Sequence, residues 1–238
     1  MTSVEIHSIR ISEMNFSYEP NQEVPLLGPV SCELPLGKVV CLRGPAGAGK
    51  SAVLKLMAGL LSPQAGSIEI NGLPVTEMSF EEFLPYRLQI GYGFEYGGLL
   101  NNRTLAENLA LPLQYHSLYS NEEIQTRVSK MLEIFQLTSQ AHKRPSTVAG
   151  SQRKATCVAR ALVNSPQFLI LDDPTTGLSA IAKSALVDWI KNEMKHNRLR
   201  YVLISSEEAE WTKRLSAIDL EVTGGQLIWT NKNKESAA

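Results

Sequence analysis

One octapeptide constrains this chain more than any other stretch: Gly44-Pro45-Ala46-Gly47-Ala48-Gly49-Lys50-Ser51. It matches G-x-x-x-x-G-K-[ST], and it stands between a short apolar run at 39–42 and a segment with helical apolar spacing at 51–61. Glycines at such a turn let successive backbone N–H groups point inward at phosphate oxygens, and the N-terminus of the following helix adds partial positive charge. In a loop of this kind Lys50 neutralises the β- and γ-phosphates, and the Ser51 hydroxyl ligates Mg²⁺. The alternative is a flexible Gly-rich turn that happens to precede Lys-Ser. The strand before it and the helix after it argue for the phosphate loop, and so for a bound nucleotide.

The rest of the chain alternates strand-like and helix-like segments, as an α/β protein does. Residues 9–18 alternate in polarity and predict an early strand. In 51–61 the apolar residues Val53, Leu54, Met57 and Leu60 form one helical stripe. Residues 66–70 followed by Asn71-Gly72 predict a strand ending in a turn. The clearest amphipathic helix spans 120–137, with a Ser120/Glu123 capping box and Ile124, Val128, Met131 and Phe135 on one face. A second helix is expected over 153–163. The continuous apolar runs 168–171 and 201–205 predict central parallel strands buried on both faces. Gly224-Gly225 inside 220–230 predicts a terminal hairpin, and the polar tail 231–238 a frayed end.

Asp172 directly follows the apolar run 168–171. A lone aspartate there reads most simply as a cap or turn residue. Beside a phosphate loop, a carboxylate at the end of a buried strand can instead hold Mg²⁺ through its water shell.

Composition removes several classes of function. The chain has 238 residues, Lys+Arg 23 against Asp+Glu 24, a net charge of −1 and 43% apolar residues. That length buries roughly 70–75% of the unfolded surface, so neither disulfides nor a structural metal is needed. The near-zero charge and the lack of a basic tract exclude a broadly basic nucleic-acid binder, and no nucleic-acid partner is expected. No run of 18 apolar residues is present to span a membrane as a helix. The first residues carry no apolar signal core, which argues against secretion. The cysteines are Cys32, Cys41 and Cys157, an odd number without metal spacing, as expected of reduced thiols in a cytosol.

Taken together, these residues resemble the nucleotide-binding subunits of ATP-binding-cassette transporters over about residues 9–229. The resemblance implies an α/β fold: a P-loop NTPase core of the ABC type, an N-terminal antiparallel β subdomain and an inserted helical subdomain. The core would comprise 1–94 and 166–230, the helical and signature part 95–165, and the tail 231–238. The cofactors implied are ATP and Mg²⁺. Tyr18 in Phe16-Ser17-Tyr18 looks like the aromatic that stacks on adenine, although an edge-strand core aromatic would read the same way. Ile90-Gly91-Tyr92-Gly93-Phe94-Glu95 looks like the Q-loop, with Glu95 placed to accept from water or ligate Mg²⁺. Val148-Ala149-Gly150-Ser151-Gln152 stands where the signature LSGGQ would stand, where Ala149, Gly150, Ser151 and Gln152 would face the γ-phosphate on a second ATP-binding subunit. Asp173-Pro174-Thr175-Thr176-Gly177-Leu178-Ser179 looks like the Walker B exit and D-loop.

Several positions depart from the family's pattern. Asp173 stands for the catalytic Glu, Glu95 for the Q-loop Gln, Ala149 for the signature Ser and Ser151 for its second Gly. Ser179 replaces the D-loop Asp, and Ser206 replaces the switch His. The phosphate-binding groups survive while groups that sense or attack the γ-phosphate are altered, so the expectation is tight ATP binding with slow or absent hydrolysis. The segments 96–100 and 104–113 look most like the ATPases of MCE-type phospholipid transporters, and they share much with those of lipoprotein release and of the cell-division complex. The partners implied are a membrane permease docked against a groove within 92–113, a second ATP-binding subunit and an MCE-type lipid-binding protein. The location implied is cytoplasmic, peripheral on the inner face of the cell membrane. A non-hydrolysing structural or regulatory ATP-binding module is the competing reading.

Overall fold

A computed structural model describes residues 4–19, 24–95, 98–115 and 119–230. Tyr96 and Gly97, part of the subfamily resemblance, and the tail 231–238 lie outside the described residues. Along the chain come strands β1 (Ile9–Phe16), β2 (Leu27–Glu33) and β3 (Val39–Arg43), then helix α1 (Lys50–Met57). Strand β4 (Ala65–Ile70), the two-residue β5 (Leu73–Pro74), helix α2 (Phe80–Arg87) and strand β6 (Ile90–Gly93) follow. Three helices come next, α3 (Leu105–Tyr115), α4 (Asn121–Ile134) and α5 (Gly150–Leu162). The chain returns through β7 (Phe168–Asp172), α6 (Ala180–Lys195), β8 (Tyr201–Ser205), α7 (Ala209–Arg214), β9 (Ile218–Thr223) and β10 (Gln226–Trp229).

Two sheets form. One is antiparallel, in the order β2-β1-β4-β5; the other has the order β10-β9-β3-β8-β7-β6 and is parallel except for the β10 edge. The alternation of side chains along the parallel strands sorts the core into two clusters. Val39, Cys41, Leu169, Leu171, Val202 and Ile204 point to the side covered by α3 to α6. Val40, Leu42, Phe168, Ile170, Tyr201 and Leu203 point to α1 and the antiparallel sheet. Both faces are dry, which is why β7 and β8 are buried at every position and read as continuous apolar runs. Fully burying each Val, Leu, Ile or Phe contributes roughly 1.5–3 kcal/mol, so these central strands anchor the fold.

Helix α1 ends earlier than its apolar stripe suggests. Gly59 adopts φ +66, the Leu60 N–H donates to the Lys55 carbonyl and the Gly59 N–H to that of Leu56. That pair of bonds is a Schellman stop, and it leaves Leu60 outside the helix. Helix α4 keeps the expected capping box: Glu123 N–H to Ser120 Oγ at 3.3 Å and Ser120 N–H to Glu123 Oε2 at 2.7 Å. Phe135 lies just past its end, buried with the rest of the stripe.

Strand β6 lies against α5 at Gly91, where a Cβ would come within 2.2 Å of the Ala161 carbonyl oxygen. The Gly91→Ala protein should therefore lose about 1–3 kcal/mol by overpacking, read as a lower urea midpoint at unchanged slope. An unchanged midpoint would mean that β6 and α5 separate freely.

Candidate functional site

Register assembles the site. In the parallel sheet Leu42 pairs with Ser205 on one side of β8, and Asp172 pairs with Ser205 on the other. The phosphate loop leaves β3 immediately after Arg43, so it and Asp172 emerge at the same edge of the sheet. A cleft of about 550 Å³ opens there. It is lined by residues 45–52 of the loop, by Tyr18 and Glu95, and by Asp172, Asp173, Ser205, Ser206 and Glu207.

The loop's shape uses positive φ at Gly44, Gly47 and Gly49. At Gly44, φ is +140 and a Cβ would lie 2.3 Å from the Val222 carbonyl oxygen of β9. Gly49 is the N-cap of α1 at φ +102, a conformation that L side chains rarely adopt. Lys50 opens the helix. Its Nζ donates to the carbonyls of Gly44 and Pro45, the latter at 3.1 Å, and pairs with Glu207 Oε1 at 3.2 Å. The ammonium is thus held over the loop by acceptors that phosphate oxygens can replace.

Asp172 is only 5% exposed, and its Oδ1 accepts from Ser205 Oγ at 2.8 Å. The same Ser205 oxygen accepts the Asp173 N–H at 2.9 Å. Asp173 takes φ +38, and its Oδ1 accepts weakly from Thr175 Oγ1 at 3.3 Å and the Thr176 N–H at 3.4 Å. Ser206 is 3% exposed; its hydroxyl lies 3.1 Å from Thr175 Oγ1 and accepts the Glu208 N–H at 3.2 Å. Its carbonyl is gripped by Arg43, whose guanidinium also bonds Asp219 and Thr212. Glu95 reaches the cleft, and its carbonyl accepts from Lys154 Nζ at 2.7 Å. Tyr18 is 60% exposed and meets Phe16 edge-on at 5.1 Å, so it is not a core aromatic; an open ring face at the cleft rim is available for stacking.

Of the residues expected to act together, Tyr18, the loop, Glu95, Asp172, Asp173 and Ser206 converge on this cleft, whereas Ala149, Gly150, Ser151 and Gln152 do not line it. They form the start of α5. Ala149 is the N-cap and has no side-chain acceptor; only the Gln152 half of a capping box is present, accepting the Ala149 N–H at 3.1 Å. Ser179 caps α6 through the Ala182 N–H at 3.2 Å. Sequence reasoning missed Ser205, Glu207 and Lys154. Ser205 read simply as a strand end, and the partners of Lys154 are backbone carbonyls that leave no side-chain pattern.

The donor set suits Mg²⁺. Among the described residues no three His, Cys, Asp or Glu side chains gather into a protein cage. Mg²⁺ is characteristically held by one or two carboxylates with phosphates and water, and Asp172, oriented by Ser205, supplies the buried carboxylate beside the loop that carries Ser51.

This fold and cleft define a P-loop nucleotide-binding protein. Residues 27–176 match the ABC transporter family, more than half the chain, and the chain belongs to that family. It is 31% identical to the methionine import ATP-binding protein MetN 1 of Acinetobacter baylyi over 87% of this chain and 58% of that protein. It is 34% identical to the lipoprotein-releasing system ATP-binding protein LolD of Buchnera aphidicola subsp. Schizaphis graminum, over 91% of this chain and 93% of that protein. The chain thus spans about three-fifths of the length of the methionine-import relatives it matches. Among solved structures, the dimeric ATP-binding cassette MJ0796 bound to ADP and Pi superposes with a TM-score of 0.83 at 23% identity, covering 92% of this chain and 96% of that one. An ATP-binding subunit of an ABC transporter superposes at 0.80 with 26% identity, covering 93% and 88%.

Ser205→Ala removes the hydroxyl that serves both Asp172 and the Asp173 N–H. We expect a loss of about 1–3 kcal/mol in urea unfolding, the cost of leaving a buried donor unpaired. A change below about 0.5 kcal/mol, the range of inert surface substitutions, would show that the strand ends hold Asp172 without it.

Proposed function

We propose that this chain is the ATP-binding subunit of a membrane ABC transporter, that it holds Mg-ATP in the cleft at the carboxyl edge of the parallel sheet, and that it hydrolyses ATP slowly. The observation that carries the reading is the convergence of the phosphate loop, Asp172, Glu95 and Tyr18 on one cleft. Tyr18 would stack on the base, the loop N–H groups and Lys50 would grip the phosphates, and Ser51 with Asp172 would hold the cation, Glu95 assisting. When bound, Mg²⁺ supplies charge neutralisation across the β- and γ-phosphates. Asp173 is the candidate to orient the attacking water. Its carboxylate is one methylene shorter than the Glu of the family pattern, and it is turned toward Thr175 and Thr176. Ser206 is engaged with Thr175 and Glu208, so its hydroxyl serves the loop. A misplacement of about 1 Å at such a group costs on the order of 100-fold in rate, which supports slow turnover.

Gly150 and Ser151 stand at the start of α5, away from this chain's own cleft. In the proposed assembly they face the phosphate loop of a second ATP-binding subunit, whose γ-phosphate meets the helix N-terminus. A groove of about 490 Å³ lined by Phe94, Tyr92, Leu111, Pro112 and Tyr115 offers the permease a seat. Leu99 and Leu100, the apolar pair that the sequence offers within 92–113 for docking, do not line this groove, so Phe94 and Leu111 are the positions at which an added charge should release the subunit from membranes. No helix among the described residues is long and apolar enough to cross a membrane. In the proposed assembly the permease holds the subunit at the inner face. For cargo we favour a lipid-bearing molecule. Residues 96–100 and 104–113 resemble the MCE-type phospholipid branch, which would add an MCE lipid-binding protein, and the lipoprotein-releasing relative is matched along nearly its whole length, the methionine importer of Acinetobacter baylyi along 58%. The MCE assignment rests on the sequence resemblance of 96–100 together with 104–113.

The test is nucleotide binding and phosphate release by the chain with its permease. Wild type should bind Mg-ATP at micromolar or lower concentration, and Lys50→Ala should abolish the signal. Asp173→Glu should raise phosphate release by about 10-fold or more, and the Asp173→Glu, Ala149→Ser, Ser206→His combination further, because such groups act as a unit. No binding by wild type would refute the site. Unchanged release in both variants would favour a structural ATP-binding module.

A further inference from the structure

Lys154 sits in the second turn of α5, and its side chain runs from the helix to two loops at once. Nζ donates to the Glu95 carbonyl at 2.7 Å and to the Asp173 carbonyl at 2.7 Å. These loops leave neighbouring parallel strands at the same level, since Gly93 of β6 pairs with Leu171 of β7 and each carbonyl lies two residues beyond. Past that point the sheet ladder has ended, and the carbonyls need another donor. A long flexible side chain that ends in several donors reaches both from a helix on the covered face. Its charge also lies among carboxylates. Burial draws the Lys154 pKa below the ordinary lysine value, while Asp173, Cys157, Glu95 and Asp172 oppose that shift.

We propose that Lys154 is a positioning residue for the Mg-nucleotide, tying the Glu95 loop to the Asp173 loop and both to α5. The proposal rests on the reading of the cleft as a nucleotide site. With the latch closed, the backbones carrying Glu95, Asp172 and Asp173 keep a fixed separation, and the cation meets ligands already in place. Because Ser151 lies one turn from Lys154 on the same helix, a push on the start of α5 by a second subunit moves both loops together.

The test combines hydrogen exchange without nucleotide with binding of a fluorescent ATP analogue, once with Mg²⁺ and once with EDTA. In Lys154→Met, exchange should quicken in both loops, at residues 94–95 and 98–99 and at 173–177, while β7 and β8 stay protected. Affinity should fall about tenfold with Mg²⁺, as for other lost outer-shell partners, and less than about twofold in EDTA. Lys154→Arg, which keeps donors and charge, should stay near wild type in every arm. Lys154→Gln, smaller and uncharged, serves if the Met variant does not fold and carries the same expectation as Met. Unchanged exchange in either loop, an equal affinity loss with and without Mg²⁺, or an Arg variant as impaired as Met overturns the proposal. If wild type binds no nucleotide, the proposed function fails, and the exchange measurement alone decides the latch.

Discussion

The structure depends on the parallel pairing of β8 between β3 and β7. Ser205 is the shared partner of Leu42 and Asp172, so one residue sets the level at which the phosphate loop and the acidic strand end leave the sheet. A slip of one residue in either ladder would turn every side chain of that strand to the opposite face. Both faces are buried, yet the two sides pack against different partners, α1 and the antiparallel sheet on one and α3 to α6 on the other. The two cores therefore fix the register, and the register places Asp172 beside the loop. The Ser205 hydroxyl then fixes the acid itself, donating to its carboxylate and accepting the next N–H along the chain.

Under the proposed function, the cleft divides into groups that would hold ATP and groups that would act on it. The groups that would hold it line the cleft or border it: the loop, the Lys50 ammonium on exchangeable acceptors, the Ser205-oriented Asp172 and the exposed Tyr18. Around Asp173 and Ser206 the polar atoms are spent on one another. Asp173 accepts from Thr175 and Thr176, Thr175 lies against Ser206, and Ser206 accepts from Glu208. Ser179 still caps its helix, whereas Ala149 gives the N-cap of α5 no side-chain acceptor and only Gln152 accepts there. Side chains engaged in their own loops make a stable pocket edge and a poor relay for water, which is the physical basis for expecting retention of ATP over turnover.

Much of this was legible in the sequence because the signals were local. The phosphate loop, the Ser120/Glu123 box and the buried runs of β7 and β8 each carry their pattern within a few residues. Helices α2 and α3 were not assigned, although Ser79/Glu82 and Thr104/Glu107 form capping boxes of the same kind. Pro85 and Pro112 sit inside them and break the periodic pattern that would have extended those starts. Strand β2 contains Gly28-Pro29, which reads as a turn. The supports of the candidate site were harder still. Lys154, Arg43 and Ser205 act on backbone atoms far along the chain, and residue type at one position says nothing about a carbonyl 59 residues away.

The central claim is that the cleft keeps ATP and converts it slowly. A single-turnover experiment tests it: the chain with its permease, in excess over labelled Mg-ATP, is quenched at intervals and the bound nucleotide is separated. The account predicts that the label binds within the mixing time and remains ATP over minutes, and that ATP is retained far longer than a turnover of the order of ten per second, the middle of the range for enzymes, would allow. Conversion of the bound label to ADP within a second would contradict it.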